Sequence, residues 1–485
     1  MPVFGPLRKL DGPQRVFAGF VLLLLGGGAA ATLARAPALL LPALLAVGLL
    51  VAVVEWRLVF YLLLFLLPFS IEVGLPGGLS LDVPSEPLML VLTACVLATL
   101  LLRGGRLPAR EWRHPLLLLL ALMLAWAVVD TFFSVNTLKS VKYLLAKVWY
   151  VVPFVLGTLL LVRRPADVWR LALTYSSGAA VSVLYTASRH ATKGFSFGDI
   201  NWALRPFYLN HVIYAAVLAL LLPYALLAWR AAQGQPLRRL LWGGLGAVLF
   251  LGLLTSYTRA SLLSLPVAGL FYGCMRLRLT KVVLSAMALG VAGAAFYFLS
   301  NSNFMLYAPD FEKTVFNGRN FEKHLEATYK FEDVSGMERV YRWVAASRMI
   351  SEKPLTGSGP STFYPEYKRF TVKSFRTYVS NNPERSTTHN YFLLQLAEQG
   401  FPGFLLFVAF IGTALLTAER LYHRSADRPK VRRVVLAASL SLVTILFHLL
   451  LNELVEVDKI GPLYFVAIAL LIRADTWLDG GLSGE

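Results

Sequence analysis

Charge is scarce in this chain. Only 15% of its 485 residues are charged, whereas soluble domains average about 25%. Hydrophobic residues make up 57%, and the mean hydropathy is +0.61. A soluble chain of this length would bury its apolar residues in two or three cores and cover them with charged residues. The low fraction of charged residues indicates instead that much of the surface faces lipid.

Cysteine and metal-binding motifs are also nearly missing. The two cysteines, Cys95 and Cys274, lie in or beside apolar runs, which favours small core hydrophobes over a disulfide or a metal pair. The sequence contains no HExxH, no paired cysteines and no P-loop. Glu456 and Asp458 are the nearest approach to an acidic pair. We therefore expect no metal, no cofactor and no ATP-driven mechanism.

The net charge of +18 does not indicate nucleic acid. Lysines and arginines come in short clusters between apolar runs, and no single soluble face collects them. The pattern is that of loops joining membrane spans.

Long apolar runs dominate what is present. About 20 apolar residues span a bilayer, and the sequence predicts about fourteen spans, or thirteen or twelve if one or both of the short ones, 58–71 and 460–472, do not cross. Their approximate limits are 16–34, 37–54, 58–71, 86–102, 115–133, 141–162, 168–188, 208–229, 240–257, 260–275, 282–300, 390–418, 434–451 and 460–472. The first is expected to be a retained span, since no signal-peptide cleavage site follows it.

The predicted fold is an all-α polytopic membrane protein of about 12–14 transmembrane helices. Residues 1–300 would hold about eleven spans, 301–388 one large loop containing helices, and 389–485 about three spans. With the N-terminus inside, five basic clusters fall on one side of the membrane, which predicts cytoplasmic termini and a non-cytoplasmic loop. These clusters begin at Arg103, Arg163, Arg230, Arg276 and Arg420.

The large loop has its own helical pattern. The stretch SGMERVYRWVAASRMI places Val340, Trp343, Val344 and Ile350 on one face at helical spacing. It breaks at KPLTGSGPSTF, where proline and glycines punctuate the chain. The simplest interpretation is an amphipathic helix resting on the bundle or the interface.

Three polar features lie at the predicted outer boundary of the membrane, where polar groups need a reason. Arg259 lies in a polar turn, SYTRASLL, between two apolar runs. Arg339 and Arg342 lie one turn apart on the loop helix. His389 stands at the entrance to a span. The ordinary interpretations are an interfacial arginine for Arg259, a solvated helix face for the loop arginines and a helix cap for His389. A histidine imidazole, with an ordinary pKa of about 6.5, also suits proton transfer.

Together these motifs resemble the O-antigen ligase and polymerase family. The resemblance rests on the TRAS turn, an R-x-x-R-W helix followed by P-L-x-G-x-G, and H-N-x-x-L-x-x-L-x-x-x-G-x-x-G, and covers roughly residues 200–420. The segment LRPFYLN also resembles the family's R-x-x-x-x-x-N span. Family members are bacterial inner-membrane enzymes, GT-C-like glycosyltransferases that move glycans from undecaprenyl pyrophosphate at the periplasmic face.

The resemblance implies roles for single residues. His389 would be the general base, and Arg259 with Arg339 would be catalytic arginines on the pyrophosphate. Further substrate contacts would come from Arg342, Arg205, Asn210 and Asn390. The motif does not choose between Arg339 and Arg342 as the key loop arginine.

The implied reaction is metal-independent and inverting at C1. The acceptor would be a lipid A core hydroxyl for a ligase, another lipid-linked repeat for a polymerase, or a protein hydroxyl. A polysaccharide or lipid transporter is the alternative from another class. It would need ionisable residues near mid-helix, for which Lys142 and Lys147 are the only candidates, and a purely structural scaffold remains a further alternative.

Overall fold

Apolar runs of the sequence fold into long helices that pass between two ends of the molecule. The computed structural model describes residues 26, 54–75, 79–102, 107–300, 334–372, 382 and 387–480. The first helices are α1 Trp56–Leu66, α2 Ser85–Leu101, α3 Ala109–Trp112, α4 Pro115–Phe132, α5 Thr137–Leu161, α6 Pro165–Ala191, α7 Ile200–Leu204 and α8 His211–Ala231. Helix α5 contains a π-helical segment, Val152–Gly157.

The second half of the chain continues the pattern. It holds α9 Pro236–Thr255, α10 Arg259–Arg276, α11 Thr280–Leu299, α12 Val334–Glu352, α13 Phe363–Glu366, α14 Tyr391–Arg424, α15 Pro429–Leu449 and α16 Gly461–Asp479. One antiparallel hairpin, β1 Ile71–Leu75 and β2 Leu79–Val83, interrupts the helices. The sequence did not predict this hairpin.

The predicted fold class is confirmed. Among the described residues, eight helices are long and apolar enough to cross a membrane, so the chain is an all-α polytopic membrane protein. The predicted spans 16–34 and 37–54 lie outside the described residues, apart from Gly26 and Val54. Cys95 and Cys274 are not joined in a disulfide.

Burial separates a central set of helices from the periphery. In the apolar stretch of α16, 89% of the residues are buried, and in that of α8, 78% are buried. In the apolar stretch of α11 only 6% of the residues are buried, so this helix exposes apolar side chains on almost all of its faces. An apolar helix without protein cover suits contact with lipid acyl chains.

One end of the bundle, here called the arginine-rich end, is tied together by ion pairs. The Arg424 guanidinium lies 2.7 Å from the Asp475 carboxylate, and Arg110 also pairs with Asp475. Arg473 lies 2.7 Å from the buried Glu111. These contacts join α3, the end of α14 and the end of α16. The opposite end, called the loop end, carries β1, β2, α12 and the segment 450–460.

Helix α14 is not one straight span, which corrects the prediction of a helix over 390–418. Gly400 has φ 63° and ψ −172°, outside the helical region. Sixteen residues of straight helix measure about 24 Å, yet the rings of Tyr391 and Phe407 are 5.3 Å apart. The chain therefore reverses at Gly400, which leaves a short arm, 391–399, packed on a long arm, 401–424.

The non-helical segment that follows α12 stabilises this reversal. A Cβ on Gly400 would lie 2.2 Å from the Leu355 carbonyl oxygen, so the two backbones touch. The Phe401 N–H donates to the Pro354 carbonyl at 2.8 Å. The predicted break at KPLTGSGPSTF is thus correct, and its backbone serves as the partner of the turn in α14.

A second set of bonds satisfies the end of the short arm. The Ser358 and Gly359 N–H groups donate to the carbonyls of Ala397 and Glu398, at 3.1 and 2.8 Å. These carbonyls end a helical arm and would otherwise lack donors. The segment after α12 thereby fixes the short arm, whose first residues follow His389.

The Glu398 side chain adds a third connection to the same segment. Its carboxylate accepts the N–H groups of Ser361 and Phe363 at 2.9 and 2.8 Å. Glu398 is buried, and the two backbone N–H donors satisfy its carboxyl oxygens in place of water.

Candidate functional site

His389 lies in a constrained turn at the start of the short arm of α14. Its φ of 53° is in the left-handed region, which non-glycine residues seldom occupy. The turn is closed locally, because Thr388 Oγ accepts the Asn390 N–H at 3.2 Å. Asn390 Oδ1 then accepts the Leu393 N–H at 3.0 Å. Asn390 is therefore the N-cap of α14.

Helix α12 holds the backbone just before His389. The Arg342 guanidinium donates to the Thr387 carbonyl at 3.2 Å, and the Trp343 indole N–H donates to the Thr388 carbonyl at 2.9 Å. Two consecutive side chains of α12 thus hold two consecutive carbonyls. Rigid placement of this kind limits the positions that the His389 imidazole can take.

The buried face of α12 differs from the one predicted. Val344 is buried as expected, but Trp343 is 39% exposed and Val340 and Ile350 are half-buried. The covered face instead follows the residues Glu338, Tyr341, Arg342, Ala345, Ala346 and Met349. A hydropathy pattern misses this face because two of its members are charged, and they pair at 3.4 Å.

The two loop arginines differ in environment. Arg342 is 5% exposed and already bonds Glu338 and Thr387. Arg339, one turn earlier, is half-buried. Arg342 therefore holds the backbone two residues before His389, and Arg339 lies nearer the surface.

The segment after α15 completes the surroundings of His389. Asn452 Oδ1 lies 3.2 Å from His389 Nδ1. The next residue, Glu453, is half-buried, and burial raises the pKa of its carboxyl, while neighbouring Thr387 and the charge of Arg342 lower it in part. Sequence reasoning missed Asn452 and Glu453, because nothing in the local pattern NELVEVDK indicates contact with a turn about sixty residues earlier.

Arg259 stands at the beginning of α10, on a turn that the structure confirms as polar and tight. Tyr257 has φ 56°, and the Thr258 N–H donates to Ser256 Oγ at 3.2 Å. Two residues into the helix, Ser261 Oγ lies 2.8 Å from His448 Nε2. His448 lies in the last turn of α15 and Asn452 lies about one turn later in the segment that follows, so helix α10, which begins at Arg259, and the His389 turn meet the same helix end.

Arg205 and Asn210 lie on a neighbouring loop rather than in the His389 turn. Asn210 is the N-cap of α8, where its side chain accepts the Val212 and Ile213 N–H groups at 3.1 Å each. The Arg205 side chain is exposed. A Thr258–His211 bond of 3.2 Å joins this loop to the Arg259 turn.

A buried polar cluster lies below the His389 turn. Lys147 Nζ is 2.7 Å from Glu456 Oε1, and the Tyr391 hydroxyl donates to the same oxygen at 2.5 Å. Lys147, Tyr143 and Tyr391 line a cavity of about 40 Å³ between α4, α5, α14 and α16. The two lysines that the transporter interpretation would need both have partners, since Lys142 donates to the Ser80 carbonyl at 3.2 Å.

Glu456 and Asp458 do not form an acidic pair. Glu456 faces Lys147, whereas Asp458 accepts from Ser85 at 2.7 Å and pairs with Lys459 at 3.2 Å. Within the described part of the chain, no three His, Cys, Asp or Glu side chains are grouped as metal ligands. The acids of this segment instead hold α2, α5 and α14 in place.

Comparison with known proteins supports the resemblance drawn from the motifs. Residues 244–408 match the family model described as O-Antigen ligase. This stretch contains Arg259, Arg339, Arg342, His389 and Asn390, but ends before Asn452 and begins after Asn210. A search of curated proteins gives no match to the chain.

Proposed function

We propose that this chain, a membrane protein carrying an O-antigen ligase family domain at residues 244–408, transfers a glycan from undecaprenyl pyrophosphate to a lipid A core hydroxyl. The family has ligase- and polymerase-type functions and consists of membrane glycosyltransferase-like enzymes. It also implies a lipid-linked glycan and an acceptor as partners. The choice of acceptor and the catalytic roles below are our proposal.

One observation supports this function more than any other. The end of α15 is met by the His389 turn through Asn452 and by the Arg259 helix through His448. Helix α12, which carries Arg339, holds the carbonyl of Thr388 next to His389. The three elements that bear the motif residues therefore surround one helix end at the loop end of the bundle.

The chemistry assigned to these residues is a displacement at the anomeric carbon. The acceptor oxygen attacks C1 of the donor sugar and its proton passes to the His389 imidazole. The bond from C1 to the pyrophosphate oxygen breaks, and the electron pair leaves with undecaprenyl pyrophosphate. Attack opposite the leaving group inverts the configuration at C1.

Negative charge grows on the pyrophosphate as that bond breaks, and arginine is well suited to it. A guanidinium donates two parallel hydrogen bonds to phosphate oxygens. We assign this task to Arg259 and Arg339, because Arg339 is only half-buried whereas Arg342 is 5% exposed. Removing such a donor typically costs about 10²–10³ in kcat.

We propose that the loop end faces the periplasm and the arginine-rich end the cytoplasm, in the bacterial inner membrane. The support is the distribution of basic residues, because clusters at Arg110, Arg163 and Arg424 lie at one end of the bundle. Cytoplasmic loops of membrane proteins carry such an excess of Lys and Arg. A lipid pyrophosphate would then meet Arg259 at the outer interface while its tail stays in the bilayer.

A reconstituted assay tests the proposal. Purified protein in lipid nanodiscs is incubated with undecaprenyl-pyrophosphate-linked glycan and with lipid A core, a second lipid-linked repeat or a hydroxyl-bearing peptide. We expect covalent transfer to lipid A core, and a loss of about 10²–10⁴ in rate for His389→Ala. The chosen control is His423→Ala, since His423 lies at the arginine-rich end and bonds the Met275 carbonyl.

The other outcomes identify the alternatives. Product formed only with the lipid-linked repeat would show a polymerase, and product formed only with peptide would show a protein O-oligosaccharyltransferase. In sealed proteoliposomes, donor crossing the bilayer without any covalent product would overturn the enzyme proposal in favour of a transporter.

A further inference from the structure

The His389 imidazole has a side-chain partner that the motif does not contain. Asn452 Oδ1 lies 3.2 Å from His389 Nδ1. A carboxamide oxygen only accepts hydrogen bonds, so with the Asn452 oxygen facing the ring this bond is made by the tautomer that carries its proton on Nδ1. In the neutral imidazole the other nitrogen, Nε2, then carries a lone pair.

Asn452 is itself fixed by the end of α15. Its N–H donates to the His448 carbonyl at 2.8 Å, which continues the helical bonding by one turn. His448 is held in turn, because its Nδ1 donates to the Thr444 carbonyl at 2.7 Å and Ser261 Oγ lies 2.8 Å from its Nε2. The Asn452 side chain is therefore presented from a rigid element.

The His389 backbone is fixed from the other side. Its left-handed φ of 53° is maintained by the bonds of Arg342 and Trp343 to the two preceding carbonyls. The remaining freedom of the imidazole is rotation about its side-chain bonds. A single acceptor at Nδ1 restricts that rotation and selects the tautomer at the same time.

We propose that Asn452 is the positioning residue that orients His389 and holds it in the Nδ1–H tautomer, so that Nε2 is the atom that receives the acceptor proton. The inference rests on the proposed glycan transfer. It adds a residue outside the matched stretch 244–408. In other enzymes, loss of the tautomer-setting partner of a catalytic histidine lowers kcat by up to about 10⁴.

Two variants of Asn452 test the assignment in the reconstituted transfer assay. Asn452→Leu keeps the size and removes the acceptor, and we expect kcat to fall about 10–10³-fold with little change in KM for the donor. Asn452→Asp keeps the acceptor and adds a negative charge, which favours the protonated imidazole. The acid limb of its kcat–pH profile should therefore move up by about one unit or more.

The pH profiles of the wild-type protein and the Asn452 variants can be compared only if the other charged groups near the His389 turn are the same in each protein. They are Arg259 on α10, Arg339 and Arg342 on α12, and Glu453 and Glu456 on the segment after α15. All five are unchanged in both Asn452 variants, so a moved profile reports the His389–Asn452 pair.

A double-mutant comparison separates positioning from a merely structural role. If Asn452 acts through His389, then Asn452→Leu has no further effect in a His389→Ala background. Multiplied losses in the double variant, or a normal kcat for Asn452→Leu, would overturn the proposal while leaving the transferase function intact. If Asn452→Leu does not fold, the Asn452→Asp profile decides alone, and an unmoved acid limb counts against the assignment. Absence of any transfer by the wild-type protein would instead count against the proposed function.

Discussion

Lys147 on α5 and Glu456 on the segment after α15 form an ion pair of 2.7 Å, although 309 residues separate them in the chain. Only 10% of the Lys147 side chain and 27% of the Glu456 side chain are exposed. The Tyr391 hydroxyl donates to the same Glu456 oxygen. The pair therefore connects α5, the short arm of α14 and the segment that carries Asn452.

Breaking this pair on one side should destabilise the protein. Lys147→Met leaves the Glu456 carboxylate without its cation, and we expect a loss of about 3 kcal/mol in the free energy of unfolding. Reversible unfolding in mixed micelles, followed by tryptophan fluorescence, measures the change.

The matched double variant is the control. Lys147→Met combined with Glu456→Gln removes both charges, and the amide oxygen still accepts from Tyr391. Most of the lost stability should return. A double variant as unstable as Lys147→Met alone would show that the charges are not what couples the two residues.

The reversal of α14 makes Gly400 hard to replace. Alanine there would adopt a φ of +63° and place its Cβ 2.2 Å from the Leu355 carbonyl oxygen. The combination of φ 63° and ψ −172° is populated almost only by glycine and costs other residues about 1–3 kcal/mol, and the contact adds a backbone displacement. We expect Gly400→Ala to lower the free energy of unfolding by at least about 2 kcal/mol in the same assay.

Gly412 on the long arm of the same helix provides the comparison. A Cβ there would meet nothing within 4 Å, and alanine favours helix by roughly 0.5–1 kcal/mol. Gly412→Ala should be neutral or slightly stabilising. Equal losses at both positions would contradict the proposed close contact at Gly400.

Alanine substitutions at the two loop arginines should affect activity and thermal stability differently. Arg339→Ala should lower kcat by about 10²–10³ without changing the thermal midpoint, because we assign it to the pyrophosphate. Arg342→Ala should lower the midpoint and the activity together, since it removes the donor to Thr387 and leaves Glu338 buried without its partner. Transfer kinetics and thermal unfolding are measured on the same preparations.

Arg348 is the control on this helix. It is exposed and donates to the Phe370 carbonyl at 3.3 Å, so Arg348→Ala should change both measurements little. If Arg342→Ala keeps the wild-type midpoint and loses only kcat, then Arg342 contacts substrate and the assignment must be reversed.

Asp82 on β2 should make stability depend on pH. Burial, and after it the charge of Asp458, raises the pKa of this carboxyl to about 7. A raised pKa means that the folded state binds the proton more tightly than the unfolded state, whose carboxyl has a pKa of about 3.9. The free energy of unfolding should therefore fall as pH rises from about 4 to about 7, and change no further on this account above pH 7.

Two neutral substitutions separate this effect from other carboxyls. Asp82→Asn should flatten the slope between pH 4 and 7. Glu72→Gln should leave most of the slope, although Glu72 is the exposed cross-strand partner of Asp82. A slope unchanged in Asp82→Asn would show that another group titrates.

Much of the site was accessible to sequence reasoning because its signals are local. The polar turn before Arg259, the break after α12 and the entrance to α14 are each written in a few adjacent residues, and each occurs where predicted. The motif order also led to the family that matches residues 244–408. Local chemistry determines these features, so no distant contact is needed to find them.

The reversal at Gly400 shows where that reasoning stops. An apolar run with helical spacing on both sides of one glycine predicts a single span, and only the contact of Tyr391 with Phe407 reveals two arms. The buried face of α12 was missed for a related reason. Its charged members, Glu338 and Arg342, are tolerated inside because they bond each other and Thr387.

The sequence by itself determined that this is a helical membrane protein whose basic residues collect in loops, because hydropathy and charge act residue by residue. Tertiary structure alone decided that Asn452 contacts His389 and that Lys147 pairs with Glu456. It also decided that Arg342 is more deeply buried than Arg339. These pairings join residues from 45 to more than 300 positions apart, and packing of distant helices selects such partners.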